Sequence, residues 1–183
     1  MAEMTASDLV NLVDSIGGLG QFNLYDVEIM LEELSKLKSG DVYLEIGVDR
    51  GYSFACAWFG RPEGVEVYGV DINDTPERQR LFEAEDMTGF YHESSQKLAK
   101  RWDKEISLLL IDGDHSFAGV KADLESWLPH MKEGGVILMH DHNSGTGVMQ
   151  GASMFFATKN VKYDFPVMMN GQLSRSSIAR IRL

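Results

Sequence analysis

DVYLEIGVDRGYSFACAWFGRPEGVEVYGVD, from Asp41 to Asp71, sets two short apolar runs, VYLEIG (42–47) and VEVYGVD (65–71), on either side of a helical segment near 51–59. Short apolar runs that alternate with helical stretches are the pattern of a parallel α/β sheet, whose strands are buried on both faces and are joined by crossover helices. The pattern recurs downstream. GFYHE (89–93), ISLLLID (106–112) and VILMHD (136–141) are further strand candidates, and helices are expected near 76–84, 95–102 and 117–128. In the last of these Phe117, Val120, Leu124, Trp127 and Leu128 form one apolar stripe, and Pro129 should end or kink it.

Upstream, Leu9, Leu12, Val13 and Ile16 lie at helical spacing, with Gly17 and Gly18 as a stop. Gly17, Gly18 and Gly20 do not form a phosphate loop, because no strand leads into them and no GKS or GKT follows; a flexible connection is expected. Leu24–Leu37 repeats apolar residues as an amphipathic helix that would cover one face of the sheet. Downstream, residues 148–159 read as one more helix, weakened by Gly151. Val161–Met169 and Gln172–Leu183 flank Asn170-Gly171, a dipeptide suited to a type I′ turn, so a closing antiparallel hairpin is expected. The 183 residues therefore make a single domain (1–183): N-terminal helices (1–38), a core (41–143) and the hairpin (161–183).

The formal charge of −11 argues against nucleic acid as a partner, since phosphate contacts need clustered Lys and Arg. The single cysteine, Cys56, sits in an apolar run and cannot pair within the chain. The first residues, MAEMTASDLV, lack the basic and apolar parts of a signal peptide, and no apolar run approaches the roughly 18 to 20 residues needed to span a bilayer. A cytoplasmic protein with no membrane partner is expected.

In an open parallel sheet ligands bind beyond the carboxyl ends of the strands. Every candidate parallel strand ends in a polar group: Glu45 with Gly47, Asp71, His92 with Glu93, Asp112 with Asp114, and His140 with Asp141. Five such ends in register suggest a lined crevice. Gly47 and Gly51 in EIGVDRG let backbone approach a ligand, yet the motif is not the GxGxxG of dinucleotide sites. Glu45 and Asp49 would repel a pyrophosphate, so a ligand carrying positive charge and hydroxyls fits better. Asp71 follows Gly51 by twenty residues, the separation at which an acid meets ribose hydroxyls; helix capping is left to Asp74.

EIGVDRGYS, VDIN and LLIDGDHSFAGVKADLESWLPHMKEGGVILMHDH resemble the class I S-adenosylmethionine-dependent methyltransferases. The nearest group looks to be the small O-methyltransferases that include the caffeoyl-CoA and catechol enzymes and bacterial relatives acting on sugars and antibiotics. The resemblance spans Val42 to Asn143 and implies a Rossmann-like, doubly wound, mostly parallel seven-stranded sheet with the C-terminal hairpin. It implies S-adenosylmethionine as cofactor, with Glu45, Gly47 and Gly51 at the methionine part, Asp71 at the ribose, and His92, Glu93 and Ser94 near the adenine. Asp112 is implied at both the cofactor and the reacting groups. Transfer to a hydroxyl oxygen of a small-molecule acceptor is implied, and small chains of this type commonly form homodimers.

In the caffeoyl-CoA and sugar enzymes a divalent metal is held after the fourth and fifth strands, which here implies Asp112 or Asp114 with His140 and Asp141. The sequence departs from that pattern at His140, where an oxygen ligand is usual. Hard Mg²⁺ prefers oxygen, whereas imidazole suits Zn²⁺ or Mn²⁺. One reading keeps a metal on these residues as a Lewis acid. The other drops the metal and makes His115, His140 or His142 the general base, with the acids of the cluster beside it. His130, next to Pro129 and far from a strand end, is read as structural. Two competing functions are a cofactor-binding protein without transferase activity and a nicotinamide-dependent oxidoreductase, the latter disfavoured by the missing GxGxxG.

Overall fold

The computed structural model describes residues 4–142, 146–157, 159, 161–165, 168–169, 172–173 and 175–183. Two helices come first, α1 (Ala6–Ser15) and α2 (Leu24–Leu34), each opened by a reciprocal cap. Asn23 Oδ1 accepts the Tyr25 and Asp26 backbone N–H groups, and the Asp26 carboxylate accepts the Asn23 N–H in return. Five strands then alternate with helices: β1 (Val42–Ile46), α3 (Tyr52–Gly60), β2 (Glu66–Asp71), α4 (Pro76–Ala84), β3 (Phe90–His92), α5 (Ser95–Ala99), β4 (Ile106–Ile111), α6 (Phe117–Trp127) and β5 (Met131–Met139). After α7 (Thr146–Phe156) come β6 (Lys162–Asp164), β7 (Met168–Met169), β8 (Gln172–Leu173) and β9 (Ala179–Arg182).

The main sheet has seven strands in the order β3-β2-β1-β4-β5-β9-β6. The first five are parallel, and β9 runs antiparallel to both β5 and β6. The fold class expected from the sequence is therefore the one observed. The closing hairpin is divided: its outer part is the β6/β9 pair inside the main sheet, and its tip is a separate two-residue ladder of β7 with β8. The expected Asn170-Gly171 turn lies outside the described residues.

Because side chains alternate across a strand, β1 feeds both faces. Val42, Leu44 and Ile46 join the core beneath α5, α6 and α7, while Tyr43 joins the core beneath α1 to α4. Glu45 shares the Tyr43 face and is completely buried. Gly151 marks a close approach rather than a weak point: a Cβ there would lie 2.7 Å from Val120 Cγ1, so its absence lets α7 pack on α6. Among the described residues no helix is long and apolar enough to cross a membrane.

A buried ionic cluster ties α2 to the last strand. The Glu33 carboxylate, 3% exposed, accepts Arg182 Nη2 at 2.7 Å, Arg180 Nη1 at 2.8 Å and Lys36 Nζ at 3.0 Å on Oε1, and Arg182 Nη1 at 3.0 Å on Oε2. Removing Glu33 takes from Arg182 the carboxylate it is bonded to and leaves Arg180 and Lys36 to Glu32, at 3.2 Å and 2.8 Å. Glu33→Ala is expected to cost on the order of 3 kcal/mol in urea denaturation. A loss within experimental error of zero would show that α2 and β9 do not depend on this cluster.

Candidate active site

Strand order reverses at β1, which has β2 on one side and β4 on the other, and the crevice at that switch point is a cavity of about 550 Å³. Gly47 makes the crevice by necessity. Its φ is +87°, and a Cβ would meet the Asp112 carbonyl oxygen at 2.2 Å, so only glycine lets the ends of β1 and β4 lie this close. Asp49 and Asp141, at the ends of the β1 and β5 turns, also hold positive φ, at 44° and 53°.

One half of the cavity is centred on Asp71. Its Oδ2 accepts the Asp49 backbone N–H at 2.8 Å and its Oδ1 the Asn73 N–H at 2.7 Å. Two backbone donors fix the carboxylate while each oxygen keeps a lone pair for a ligand. The expected cap at Asp74 is instead supplied by Thr75, whose hydroxyl accepts the Arg78 N–H, so Asp71 is free of that duty. The far wall is made by Ser94, Ser95, Gln96 and Asp123. Asp123 is buried, which pushes its carboxyl up, and its Oδ1 takes both the Ser95 hydroxyl and Gln96 Nε2.

The other half gathers the acids and histidines that follow β4 and β5. Asp112 Oδ1 lies 3.1 Å from His140 Nδ1 and 3.2 Å from His115 Nε2; Asp141 Oδ2 lies 3.6 Å from His115 Nδ1. His140 Nε2 is 3.3 Å from Asp26 Oδ2, in α2. Burial works against a charged His140, but hydrogen bonds to Asp112 and Asp26 outweigh it and push the ring up to about 10. It is an imidazolium with both N–H groups committed. Burial likewise opposes charge on Asp112, yet the bonds from His115 and His140 hold its carboxyl below the usual range. The His115 ring is pushed up, chiefly by its hydrogen bond to Asp112. Phe22 covers His140, with ring centroids 4.8 Å apart, and Leu19 to Phe22 line the cavity above it.

Several residues expected at the site stand elsewhere. Glu45 lies behind the wall: Tyr43 Oη is 2.8 Å from its Oε2 and Ser53 Oγ 2.6 Å from its Oε1, and Ser53, not Glu45, faces the cavity. Burial, with the charges of Asp112 and Asp71, raises the Glu45 carboxyl to about 8 against the bonds from Ser53 and Tyr43. Gly51 caps α3 beneath the cavity against Phe82 and Arg78. His92 is exposed and turned to the Ile72 carbonyl, 3.1 Å from Nε2. Glu93 reaches the cavity edge, but its carboxylate is paired with Arg101 and with Lys97 at 3.7 Å; Ser94 lines the cavity and caps α5.

The candidate metal set also shifts. Asp112, His115 and Asp141 offer ligand atoms all within 4.8 Å of one another. Asp114 turns its Oδ1 to the Ser116 N–H at 2.9 Å, and His140 Nδ1 lies 3.1 Å from Asp112 Oδ1 and 3.6 Å from Asp141 Oδ2. His142 is buried away from the cavity with its Nε2 on Tyr163 Oη and its Nδ1 without a hydrogen-bond partner among the described residues, and burial pulls its ring down. His130 packs on Trp127, as a structural histidine would.

Sequence reasoning missed Asp26, Ser53, Gln96 and Asp123, whereas the Leu19–Phe22 segment falls within the N-terminal stretch (1–38) expected to cover the sheet or the acceptor site. Only Asp26 carried a local signal, as the fourth residue of the Asn23 to Asp26 capping box, and that signal speaks of a helix start.

This topology, with its crevice at the β1 switch point, is that of the class I methyltransferases. The chain belongs to the methyltransferase-domain family, which it matches over residues 44–142, more than half its length. An uncharacterised Sinorhizobium fredii protein, y4gI, is 27% identical over 136 residues, which cover 58% of this chain and 14% of that protein, so the chain spans a small part of that relative's length. Among solved structures, the SAH-bound Podospora anserina methyltransferase PaMTH1 superposes with a TM-score of 0.68 at 12% identity, covering 97% of this chain and 86% of that one. The MycE methyltransferase of the mycinamycin biosynthetic pathway, in complex with Mg, SAH and mycinamycin VI, gives 0.63 at 15%, covering 95% and 54%. An rRNA methylase from Streptococcus thermophilus gives 0.62 at 8%, covering 85% and 93%.

The site makes stability depend on pH. His140 ordinarily titrates near 6.5 and holds its proton to about 10 when folded, so its contribution is complete below about 6.5 and is lost as pH rises toward 10. Glu45 moves from 4.5 to about 8, so the folded chain also retains a proton that the unfolded chain has released, and stability falls across that window too. The urea midpoint should therefore decline steadily from about pH 6.5 to pH 10, and His140→Gln should flatten the upper half of the decline. A wild-type midpoint that rises over this range would contradict the assignment of both protons.

Proposed function

We propose that this chain is an S-adenosylmethionine-dependent methyltransferase that methylates a hydroxyl oxygen of a small molecule. The observation that carries the reading is the division of one cavity into two chemically distinct halves. An oriented carboxylate, Asp71, waits on one side for a diol; on the other, a histidine and two acids meet around a point where a hydroxyl proton could be taken.

The donor chemistry of the wall fits the cofactor. Asp49, Asp71, Asp112, Asp114 and Asp141 line the cavity and outnumber its cations, Arg50 and His140, which favours a ligand bearing positive charge. S-adenosylmethionine, when bound, supplies an electrophilic methyl group on a sulfonium sulfur. Asp71 would accept the ribose hydroxyls on the lone pairs that Asp49 and Asn73 leave free. His140 cannot serve as base near neutrality, since both its nitrogens already hold protons. In neutral His115 the N–H stays on Nε2, donated to Asp112, and Nδ1 is the atom that takes the acceptor's proton. Asp112 and Asp141 then stabilise the imidazolium.

The same three side chains also fit a divalent ion, because two carboxylates and one imidazole converge within 4.8 Å. That donor set suits Mn²⁺ or Zn²⁺ better than Mg²⁺, and the ion would acidify the acceptor hydroxyl. A ligating His115 must be neutral, so in this case metal affinity rises with pH. A small-molecule acceptor is preferred over RNA because the chain carries a net charge of −11.

Calorimetric titration with S-adenosylhomocysteine should show binding and no response to NAD. Asp71→Ala should weaken that binding by about 1 to 3 kcal/mol, the worth of a charged hydrogen-bonding group, and unchanged affinity would remove Asp71 from the ribose. His115→Ala and Asp141→Ala should abolish turnover with hydroxylated acceptors while leaving S-adenosylhomocysteine affinity within a fewfold. A chelator that stops the wild type, with activity restored by Mn²⁺, would select the metal route; indifference to chelator would select His115 as base. Methylation of rRNA with no turnover of catechols, sugars or phenols would overturn the acceptor class.

A further inference from the structure

Glu45 is buried, titratable and unused by the mechanism above, yet it touches a side chain that faces the cavity. Its Oε1 and Ser53 Oγ are 2.6 Å apart, so a single proton lies between them. Its Oε2 is 2.8 Å from Tyr43 Oη, whose other neighbour for that proton among the described residues is the Met30 thioether at 3.7 Å. A thioether is a weak acceptor and a phenol a better donor than a serine, so Tyr43 keeps its O–H on Oε2 in either protonation state. The variable proton is the one between Oε1 and Ser53.

A hydroxyl has one hydrogen to give. If Glu45 is ionised, Ser53 must spend its hydrogen on Oε1 and shows the cavity lone pairs alone. If Glu45 is protonated, the acid donates to Ser53 Oγ, and the Ser53 hydrogen is released to donate into the cavity. We infer that Glu45 is a positioning residue whose proton decides whether Ser53 acts as a donor or an acceptor toward the cofactor, and that the carboxylate of the cofactor's amino-acid part binds best to the donor form. This rests on the S-adenosylmethionine reading above.

The surroundings place the switch in a usable range. The groups facing Glu45 are Tyr43 on its own strand, Ser53 and Cys56 on α3, Asp71 at the end of β2 and Asp112 at the end of β4. Two of these are acids, none is a cation, and the carboxyl is raised to about 8. Near neutrality the donor form prevails, and the acceptor form takes over in mildly alkaline solution.

The test is calorimetric titration of the full chain with S-adenosylhomocysteine between about pH 6 and pH 9, in two buffers of different ionisation enthalpy. Wild-type affinity should fall on the order of tenfold across that range, with net proton uptake on binding near pH 8. Glu45→Gln mimics the neutral acid, since its amide donates to Ser53 and its carbonyl accepts from Tyr43; it should bind as the wild type does at pH 6 and keep that affinity to pH 9. The ligand's amino group and His115 titrate in both proteins, so the ratio of the two affinities isolates Glu45. Ser53→Ala, which leaves the acid in place, should bind more weakly and show only the proton uptake that Glu45→Gln shows. A wild-type profile that runs parallel to that of Glu45→Gln, or proton uptake in Ser53→Ala that exceeds that of Glu45→Gln as the wild type's does, would overturn the inference while leaving the cofactor assignment intact. Absence of binding by the wild type at every pH would overturn both.

Discussion

The site depends on one buried cation. His140 sits between Asp26 and Asp112, with Nε2 3.3 Å from one carboxylate and Nδ1 3.1 Å from the other, and these acids push its ring up to about 10; through it three distant parts of the chain become one structure. Asp26 belongs to the first turn of α2 and is held by the Asn23 N–H, the Ser176 hydroxyl and the Ser177 N–H. Asp112 ends β4, and His140 itself follows β5. The cation keeps Asp112 ionised at the base of the cavity in spite of burial, and it fixes the height at which Phe22 and the preceding residues cross the opening. A neutral residue at position 140 would leave two carboxylates facing one another across a buried gap, which is costly in a low-dielectric interior.

This arrangement sorts the histidines by what they can do. Four stand within or beside one stretch of sequence, and their chemistry is nevertheless unlike. His140 is a fixed charge, His142 is a neutral ring buried against Tyr163 and Phe165, and His130 packs on Trp127. His115, half-exposed at the cavity with Asp112 and Asp141 on its two nitrogens, is the one whose proton can exchange with a ligand. Glu45 shows the converse: an acid beside a cofactor cavity that is kept neutral by burial and acts through the hydroxyl of Ser53.

What the sequence made legible follows the range of the interactions involved. The alternation of strand and helix, the acid at the end of β2 and the glycine at the end of β1 are local patterns, and the structure keeps them where the pattern places them. Asp26 was not legible, because its partner is 114 residues away and its own neighbourhood announces a helix cap. Glu45 was misplaced for a different reason. A parallel strand is buried on both faces, so the usual alternation that separates inward from outward residues is absent, and only the packing of α1 to α4 shows that the Tyr43 face is closed. The grouping of Asp112, His115 and Asp141 was not legible for the same reason, since which of several adjacent acids and histidines converge is decided by the turns after β4 and β5.

The two halves of the cavity have different proposed occupants, cofactor on Asp71 and acceptor on His115. A crystal structure of the chain soaked with S-adenosylhomocysteine and Mn²⁺ tests this most directly. The ribose hydroxyls should lie on the Asp71 carboxylate, the thioether sulfur should point toward the space between Asp112, His115 and Asp141, and any manganese should sit on those three side chains. A ligand whose ribose lies away from Asp71, or whose sulfur points away from His115, would contradict it.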